Sequence, residues 1–366
     1  MQTSIFDFIQ TEEGLKYKQI ISSDWKWTMA NDYPKETNGI KVFSCFACGG
    51  GSTMGYKLAG CEVLGCNEID PRMNKVYVEN HHPKYNYLED IRDFNKRKDL
   101  PEELYNLDIL DGSPPCTTFS MAGDREESWG VKKKFREGQA KQTLDDLSFV
   151  FIETVAKLRP KFMVMENVEG LIKGNAWKYV QKIYAALKAI GYKCKHWLLK
   201  GEEMGIPQQR HRVFFIATRL DYDLDKIDLS FNYKPITYGE IKSGQGDKLN
   251  EETRIYNLLK LNKPTDKYLS DIVRRIEGRE SLFNYVILQD EYMFPTLSAG
   301  SATTPMRGKE KTYCTCEDMI SSQTFPQDYK FINKSRSNVQ YLCGMSVPPV
   351  MIKRIVTRMI EAKAFD

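Results

Sequence analysis

The stretch "IKVFSCFACGGGSTMGYKLAGCEVLGCNEID", residues 40–70, decides the fold. Its apolar start predicts a strand over 40–46, and "STMGYKLAG" predicts a helix over 52–60 with Ser52 as its N-cap. A second strand follows over 62–68. A strand, a glycine-rich turn, a helix and a second strand in this order are typical of a doubly wound α/β fold with a mostly parallel sheet.

The same alternation of strands and helices continues along the chain. A helix with proline in its first turn is expected over 71–81. Further helices are predicted over 144–158, near 176–190 and over 350–364, and further strands over 107–112, over 161–167, near 192–199 and near 212–218. We therefore predict a Rossmann-like domain formed by 40–219 and 340–366, a smaller domain over 220–339 and an N-terminal extension over 1–39.

Composition excludes several classes of protein. The chain has 366 residues, of which 41% are hydrophobic and 28% charged, as expected for a globular protein with a substantial core. No stretch approaches the roughly 20 apolar residues of a membrane span, and the N-terminus lacks the features of a signal peptide. We therefore expect a cytoplasmic protein. The net charge of +4 permits a polyanionic partner without requiring one.

Cysteine usage points to reduced thiols. Nine cysteines are an odd number in a large chain, which suits a reducing compartment. Two close pairs, Cys45 with Cys48 and Cys314 with Cys316, invite a metal, but neither has a second pair at the spacing of a zinc site. No metal is therefore expected.

The segment "DGSPPCTTFS", 111–120, places a thiol at a rigid corner. Pro114 and Pro115 stiffen the chain directly after the strand at 107–112. Cys116 is therefore held at the carboxyl end of a strand, where open α/β sheets bind their ligands. On these residues alone Cys116 is either a small buried hydrophobic residue or a nucleophile.

The glycine-rich turn "FACGGGSTMG", 46–55, suggests a nucleotide-like ligand. Glu68 lies at the end of the next strand, 17 residues after Gly51, close to where dinucleotide folds place the acid that binds a ribose hydroxyl. The complete G-x-G-x-x-G pattern is absent because position 48 is cysteine. An adenosyl cofactor without a pyrophosphate therefore fits better than a nicotinamide dinucleotide.

A series of short motifs, in order from about residue 40 to 360, resembles the DNA (cytosine-5)-methyltransferase family. The first, "FACGGG", matches the family's Phe-x-Gly-x-Gly-Gly except at Cys48, and the last, "GMSVPP", has Met345 where the family has Asn. The others are "NEID" (67–70), "EDI" (89–91), "GSPPC" (112–116), "ENV" (166–168), "QQRHR" (208–212) and "SSQTFPQDYKF" (321–331).

The resemblance implies S-adenosyl-L-methionine as cofactor and duplex DNA as substrate, bound by a monomer whose smaller domain recognises the target. The cofactor-binding residues that it implies are Phe46, Gly50, Gly51, Glu68, Ile69, Asp90, Ile91, Gly112, Pro114, Leu144, Ser346 and Val347.

The implied catalytic residues make chemical sense. Addition of the Cys116 thiolate to C6 of cytosine makes C5 nucleophilic enough to take a methyl group. Glu166, at the end of an apolar strand, would share a proton with N3 of the base. Gln208, Arg210 and Arg212 alternate on a predicted strand and so share one face, from which they would hold the base O2 and the carboxylate. Without the other motifs, these three would be an ordinary solvated edge.

A base stacked in a duplex cannot reach Cys116, so the target must be flipped out. The long polar stretch 117–143, with three glycines and the basic "KKKFR" at 132–136, suits a segment that closes over the flipped base. The family often has Gln where Thr117 stands. We expect the target sequence to be recognised from 220–293 and from "LSAGSATTPMRG" at 297–308.

Other functions stay open at this point. A branch of the same family methylates tRNA cytosine, although its members lack a sizeable recognition insert comparable to 220–293. A catalytically inactive nucleic-acid-binding module and a nicotinamide oxidoreductase are less favoured, because the catalytic set is intact and Cys48 interrupts the glycine pattern.

The start of the chain carries a separate signal. "QTSIF" at 2–6, followed by "DF", resembles the short peptides by which bacterial replication proteins dock on the sliding clamp. The polar 10–39 region would then act as a tether. The alternative is that Ile5, Phe6, Phe8 and Ile9 pack on the core.

Overall fold

The computed structural model describes residues 19–115, 147–281, 285–300 and 304–366. Cys116 and Leu144, the stretch 117–143 and the peptide at 2–6 lie outside these ranges.

A seven-stranded sheet forms the centre of the fold, with strand order β3-β2-β1-β4-β5-β8-β6. Its strands are β1 (Lys41–Cys45), β2 (Glu62–Glu68), β3 (Tyr85–Leu88), β4 (Ile109–Gly112), β5 (Phe162–Val168), β6 (Lys193–Lys200) and β8 (His211–Thr218). The strands from β3 to β5 run parallel to their neighbours, and β8 pairs with β5 in the antiparallel sense. The strand order reverses between β1 and β4, the position at which doubly wound sheets bind their ligands.

Helices alternate with the strands of this sheet as predicted, and the described ranges also hold helices that the sequence patterns did not predict. The first helix is α1 (Met29–Asp32), and those that follow are α2 (Gly51–Leu58), α3 (Pro71–His81), α4 (Ile91–Lys96), α5 (Leu147–Leu158), α6 (Trp177–Ala189), α7 (Tyr238–Ile241), α8 (Arg254–Leu259), α9 (Leu269–Glu277), α10 (Cys316–Ser322), α11 (Arg336–Met345) and α12 (Pro349–Glu361). The α/β prediction is confirmed. The sequence patterns missed β3 and α4, which are only 4 and 6 residues long and carry little periodicity.

The chain divides into two units, each with its own core. The larger comprises Ala30–Leu199, His211–Leu229 and Met351–Asp366. Its core packs the sheet against α4, α5 and α6 through the buried side chains Phe43, Leu64, Phe94, Leu110, Phe151, Val155, Ile183, Leu187 and Phe215.

The smaller unit comprises residues 19–29, Lys200–Arg210 and Ser230–Val350. Its described part holds five two-residue strands, namely β7 (Gln208–Gln209), β9 (Ile287–Leu288), β10 (Phe294–Pro295), β11 (Met306–Arg307) and β12 (Thr312–Tyr313). Leu259, Leu269, Ile272 and Met306 are among the residues of its core.

Residues 19–29 are anchored in the smaller unit, so the prediction of a tether over 10–39 is wrong for this part. Trp27 is 5% exposed, and its indole Nε1 donates a 2.8 Å hydrogen bond to the Thr324 carbonyl. Ile20 exchanges backbone hydrogen bonds with Asn232 and Lys234. A tryptophan buries a large apolar area once its N–H finds an acceptor, and this offsets the entropy lost on ordering.

Metal-binding clusters and membrane-spanning helices are both absent from the described ranges. No group of three or more His, Cys, Asp or Glu side chains there could hold a metal ion. No helix within them is long and apolar enough to cross a membrane.

Candidate active site

The glycine-rich turn between β1 and α2 has an unusual backbone. Phe46 and Cys48 adopt positive φ angles of 54° and 48°, and Gly50 has a φ of 86°. Residues with side chains rarely enter this left-handed region. Cys48 therefore adopts a backbone conformation that glycine, the residue of the family motif, enters more easily.

His81 supports this turn from the end of α3. Its Nε2 donates to the Gly49 carbonyl at 3.1 Å, and a Cβ on Gly50 would lie 2.1 Å from the same nitrogen. Burial lowers the pKa of His81 to about 3, so the ring is neutral. Sequence patterns did not select His81. Its packing against Gly50 joins positions 31 residues apart, and no local motif signals it.

Two carboxyl groups follow the strands beside this turn. Glu68, at the end of β2, accepts the backbone N–H groups of Cys48 at 2.7 Å and Asp70 at 2.8 Å. Burial raises the pKa of Glu68. Asp90, just after β3, caps α4 by accepting the N–H of Arg92 at 2.8 Å. The predicted acids thus follow adjacent parallel strands at the same edge of the sheet as the turn, with Ile69 and Ile91 beside them.

Gly112 ends β4 at this edge, and packing explains why it is glycine. A Cβ there would lie 2.5 Å from the ring of Phe151, which itself contacts the Phe46 ring at 6.2 Å between centroids. Two residues later, the Pro114 carbonyl accepts a 3.4 Å hydrogen bond from the Asn167 side chain. The segment that leads to Cys116 is therefore tied to the end of β5.

The end of β5 also carries Glu166, which the structure pairs with Arg212. Register in the β5–β8 ladder sets Val168 opposite Arg212 and Glu166 opposite Phe214. Arg212 Nε lies 2.8 Å from Glu166 Oε1, and both side chains are largely buried, with 14% and 12% exposure. Two of the predicted catalytic residues are thus brought together by strand pairing.

Gln208 and Arg210 do not share a strand face with Arg212, so that prediction is wrong. β7 ends at Gln209 and pairs with β10, whereas β8 begins at His211 and pairs with β5. Arg210 lies between the two strands, where the chain passes from the smaller unit to the larger. Residues two positions apart share a face only within one continuous strand, so the rule does not apply across the break between β7 and β8.

The side chains of Gln208 and Arg210 are buried within the smaller unit. Gln208 Nε2 donates to Gln323 Oε1 at 2.8 Å, and Arg210 Nη2 donates to the Ser346 carbonyl at 2.9 Å. Gln323 Nε2 also donates to the Ser346 carbonyl, at 2.6 Å. Three motifs that are far apart in sequence therefore meet here. Ser346 and Val347, predicted to bind cofactor, are 2% and 4% exposed.

Arg307 lies in the stretch 297–308 that was expected to recognise the target, but it is not available for this role. Its side chain is 2% exposed, and its guanidinium lies 2.7 Å from Asp318. The prediction that this stretch contacts DNA therefore cannot include Arg307.

The family model for C-5 cytosine-specific DNA methylases matches residues 40–361. The chain belongs to this family. A Type II methyltransferase of Neisseria gonorrhoeae, M.NgoPII, is 27% identical over 87% of this chain and 95% of its own length. M.HindV of Haemophilus influenzae is 26% identical over 88% of this chain and 97% of its own length.

Solved structures agree with this fold. A putative DNA modification methyltransferase encoded within an E. coli prophage has a TM-score of 0.63 at 18% identity, over 89% of this chain and all of its own. DNMT2 of Spodoptera frugiperda has a TM-score of 0.60 at 17% identity, over 88% of this chain and all of its own. The protein is thus a DNA (cytosine-5)-methyltransferase, and membership of the family implies that S-adenosylmethionine is the methyl donor.

Proposed function

We propose that the methyltransferase methylates C5 of a flipped-out cytosine in a specific duplex DNA sequence through a covalent adduct between Cys116 and C6. The observation that best supports this is the ion pair of Glu166 with Arg212, next to the Asn167 side chain that holds Pro114. The relatives named Type II methyltransferases support a place in restriction–modification.

The residues of the larger unit suit an adenosyl cofactor. Glu68 accepts the backbone N–H groups of Cys48 and Asp70, one on each oxygen, and a carboxylate with about four acceptor sites can also accept a ribose hydroxyl. Asp90 offers a second carboxylate just after the neighbouring strand. When bound, the cofactor would supply an electrophilic methyl group on a sulfonium. Ser346 and Val347 stay predictions from the resemblance.

The chain's own residues would perform the remaining steps. The Cys116 thiolate adds to C6, and the electrons of the C5–C6 double bond move to C5 while Glu166 shares a proton with N3. C5 takes the methyl group and then loses its proton to a base. The double bond re-forms and Cys116 leaves. Arg212 holds the Glu166 carboxyl in one orientation and has a planar guanidinium suited to the base O2.

We also propose the division of labour between domains. Residues 40–219 and 340–366 would carry catalysis, and 220–339 would recognise the target. The stretch 117–143 would close over the flipped base, since its lysines and arginine at 132–136 can contact phosphates.

Labelled methyl transfer to duplex DNA and to total tRNA tests the substrate class. We expect transfer to duplex only, with bisulfite sequencing of DNA from expressing cells showing one methylated sequence. Transfer to tRNA alone would contradict the proposal, and absence of transfer to both would leave only a binding protein.

A duplex with 5-fluorocytosine at the methylated position tests the adduct. Fluorine at C5 cannot leave as a proton, so Cys116 should remain bound to C6 and give a species stable in denaturing gels. An active preparation that gives no such species would contradict the covalent mechanism.

Clamp docking remains a proposal of its own. The "QTSIF" peptide supports it, since Ile5 and Phe6 could fill an apolar pocket on a bacterial sliding clamp. The chain is anchored from Ile20 onward, which leaves the residues before it as the connection. We expect the intact chain to bind the clamp and an Ile5→Ala/Phe6→Ala variant to lose binding. Equal binding, or a large drop in thermal stability of the variant, would favour core packing instead.

A further inference from the structure

Asp111 is a buried carboxyl that the proposed reaction does not use. It is the third residue of β4 and lies just before Gly112, Pro114 and Cys116 in sequence. Its side chain belongs to a residue only 2% exposed. A buried carboxyl at a ligand-binding edge costs folding free energy when it is ionised, and such costs are often tolerated for function.

The hydrogen bonds of Asp111 reach both the strand before and the helix after the glycine-rich turn between β1 and α2, which we call the cofactor turn. Ser44, on β1 before the turn, lies opposite Asp111 in the β1–β4 ladder and donates from Oγ to Oδ2 at 2.7 Å. Tyr56, on α2 after the turn, donates from its hydroxyl to Oδ1 at 3.1 Å. Ser52, one helical turn before Tyr56, also lowers the pKa of Asp111 and so favours its ionised form. One carboxyl thus connects the turn to the strand that leads to the nucleophile.

Other titratable groups surround Asp111. They are Cys45 on β1, Tyr56 on α2, Tyr77 on α3 and Glu166 on β5. These four groups are neutral or negative, so none of them offsets a negative charge on Asp111. Burial raises the pKa of Asp111 to about 7. When the carboxyl is protonated, one oxygen becomes a donor and can no longer accept as before.

We propose that Asp111 is a positioning residue that, when ionised, holds the cofactor turn in its binding conformation, so that cofactor affinity falls when Asp111 loses its charge. This inference rests on the proposed function. Asp111 acts on the cofactor turn through Ser44, Ser52 and Tyr56.

Binding of S-adenosylmethionine and of S-adenosylhomocysteine to the full chain, measured by calorimetry from pH 6 to 8.5, tests the proposal. Affinity of the wild type for both ligands should rise through about pH 7. Asp111→Asn should bind both about tenfold more weakly at pH 8 and show no rise, because charge-assisted hydrogen bonds are lost. Asp225→Asn, which removes an exposed acid of the same unit, should behave as wild type.

Tyr56→Phe provides a second variant, with the ring retained and one donor removed. Without the Tyr56 hydroxyl, the ionised Asp111 carboxylate is stabilised less and its pKa rises further. The rise in cofactor affinity should therefore move to higher pH. A rise that stays at the same pH in Tyr56→Phe would contradict the proposal.

The two ligands separate positioning from a direct effect of charge. S-adenosylhomocysteine lacks the positive sulfonium, so weakened binding of S-adenosylmethionine alone would overturn positioning in favour of attraction between charges. Wild-type affinity in Asp111→Asn, or a persistent rise with pH, would also overturn the inference. Failure of the wild type to bind either ligand at any pH would instead remove the proposed function.

Stability of Asp111→Asn shows whether weak binding arises from unfolding. A carboxyl whose pKa is raised by folding destabilises the native state most when the pH is above that pKa. Asp111→Asn should therefore resist urea better than wild type at pH 8, and this advantage should shrink as the pH falls to 4. A variant less stable than wild type at pH 8 would contradict the conclusion that the buried, ionised Asp111 carboxyl destabilises the native state.

Discussion

Cys116→Ser is expected to abolish methyl transfer while duplex DNA binding stays within a few-fold of wild type. A serine hydroxyl near neutral pH is a far weaker nucleophile than a thiolate, and without addition to C6 the C5 carbon does not take the methyl group. The loss in turnover should exceed about a thousandfold, since the covalent route splits one difficult step into easier ones. Single-turnover transfer of labelled methyl and a DNA-binding titration measure the two effects.

Cys316→Ser is the matched control. Cys316 is a free, half-buried thiol of the smaller unit and lies outside the proposed catalytic set. Normal transfer by this variant would show that serine in place of a free thiol does no general harm. Substantial turnover by Cys116→Ser, with no trapped species on 5-fluorocytosine, would show that the reaction does not need the thiol.

Sequence predicted the positions of the candidate residues well where each of them ends or follows a regular strand. Glu68 and Glu166 follow or end strands whose apolar patterns are plain, and parallel topology then fixes the edge at which they lie. The pairing of Glu166 with Arg212 required more, because it depends on β8 running antiparallel to β5. No pattern within β8 encodes the direction of its neighbour.

Sequence did not predict the contacts that candidate residues make with residues distant in sequence. Gln208 meets Gln323 across 115 positions, and Arg210 meets Ser346 across 136. Local periodicity placed Gln208 and Arg210 on an accessible strand face, whereas the fold buries both of them. Motif order indicated that these segments belong to one family of motifs, but not that they contact one another.

Asp318, in the smaller unit, also contacts residues that are distant in sequence. Its replacement should give the largest loss of stability that we expect. Its Oδ2 accepts from the Arg307 guanidinium at 2.7 Å and from the Tyr238 hydroxyl at 2.7 Å. Its Oδ1 accepts the backbone N–H of Ser243 at 2.8 Å. Arg307 in turn donates to the Gly244 carbonyl at 2.8 Å. One ion pair therefore holds α7, the turn at 243–244, β11 and α10 together.

Asp318→Ala is expected to lower the free energy of unfolding by about 3–5 kcal/mol, because it leaves a buried guanidinium without its counter-charge. Exposures of 2% for Arg307 and 0% for Asp318 leave little water to compensate. Urea denaturation followed by fluorescence measures the loss. Glu277→Gln, which breaks the exposed pairs with Arg254 and Arg279, should cost under about 1 kcal/mol.

The double variant Arg307→Met/Asp318→Leu separates the cost of an unpaired charge from the loss of the pair itself. Two apolar residues of similar volume remove both charges at once, so the double variant should be more stable than Asp318→Ala. Some loss should remain, since the backbone groups of Ser243 and Gly244 lose their side-chain partners. If the double variant is as unstable as Asp318→Ala, the cost arises from those backbone groups and the packing of the turn, and the buried charge is not the cause.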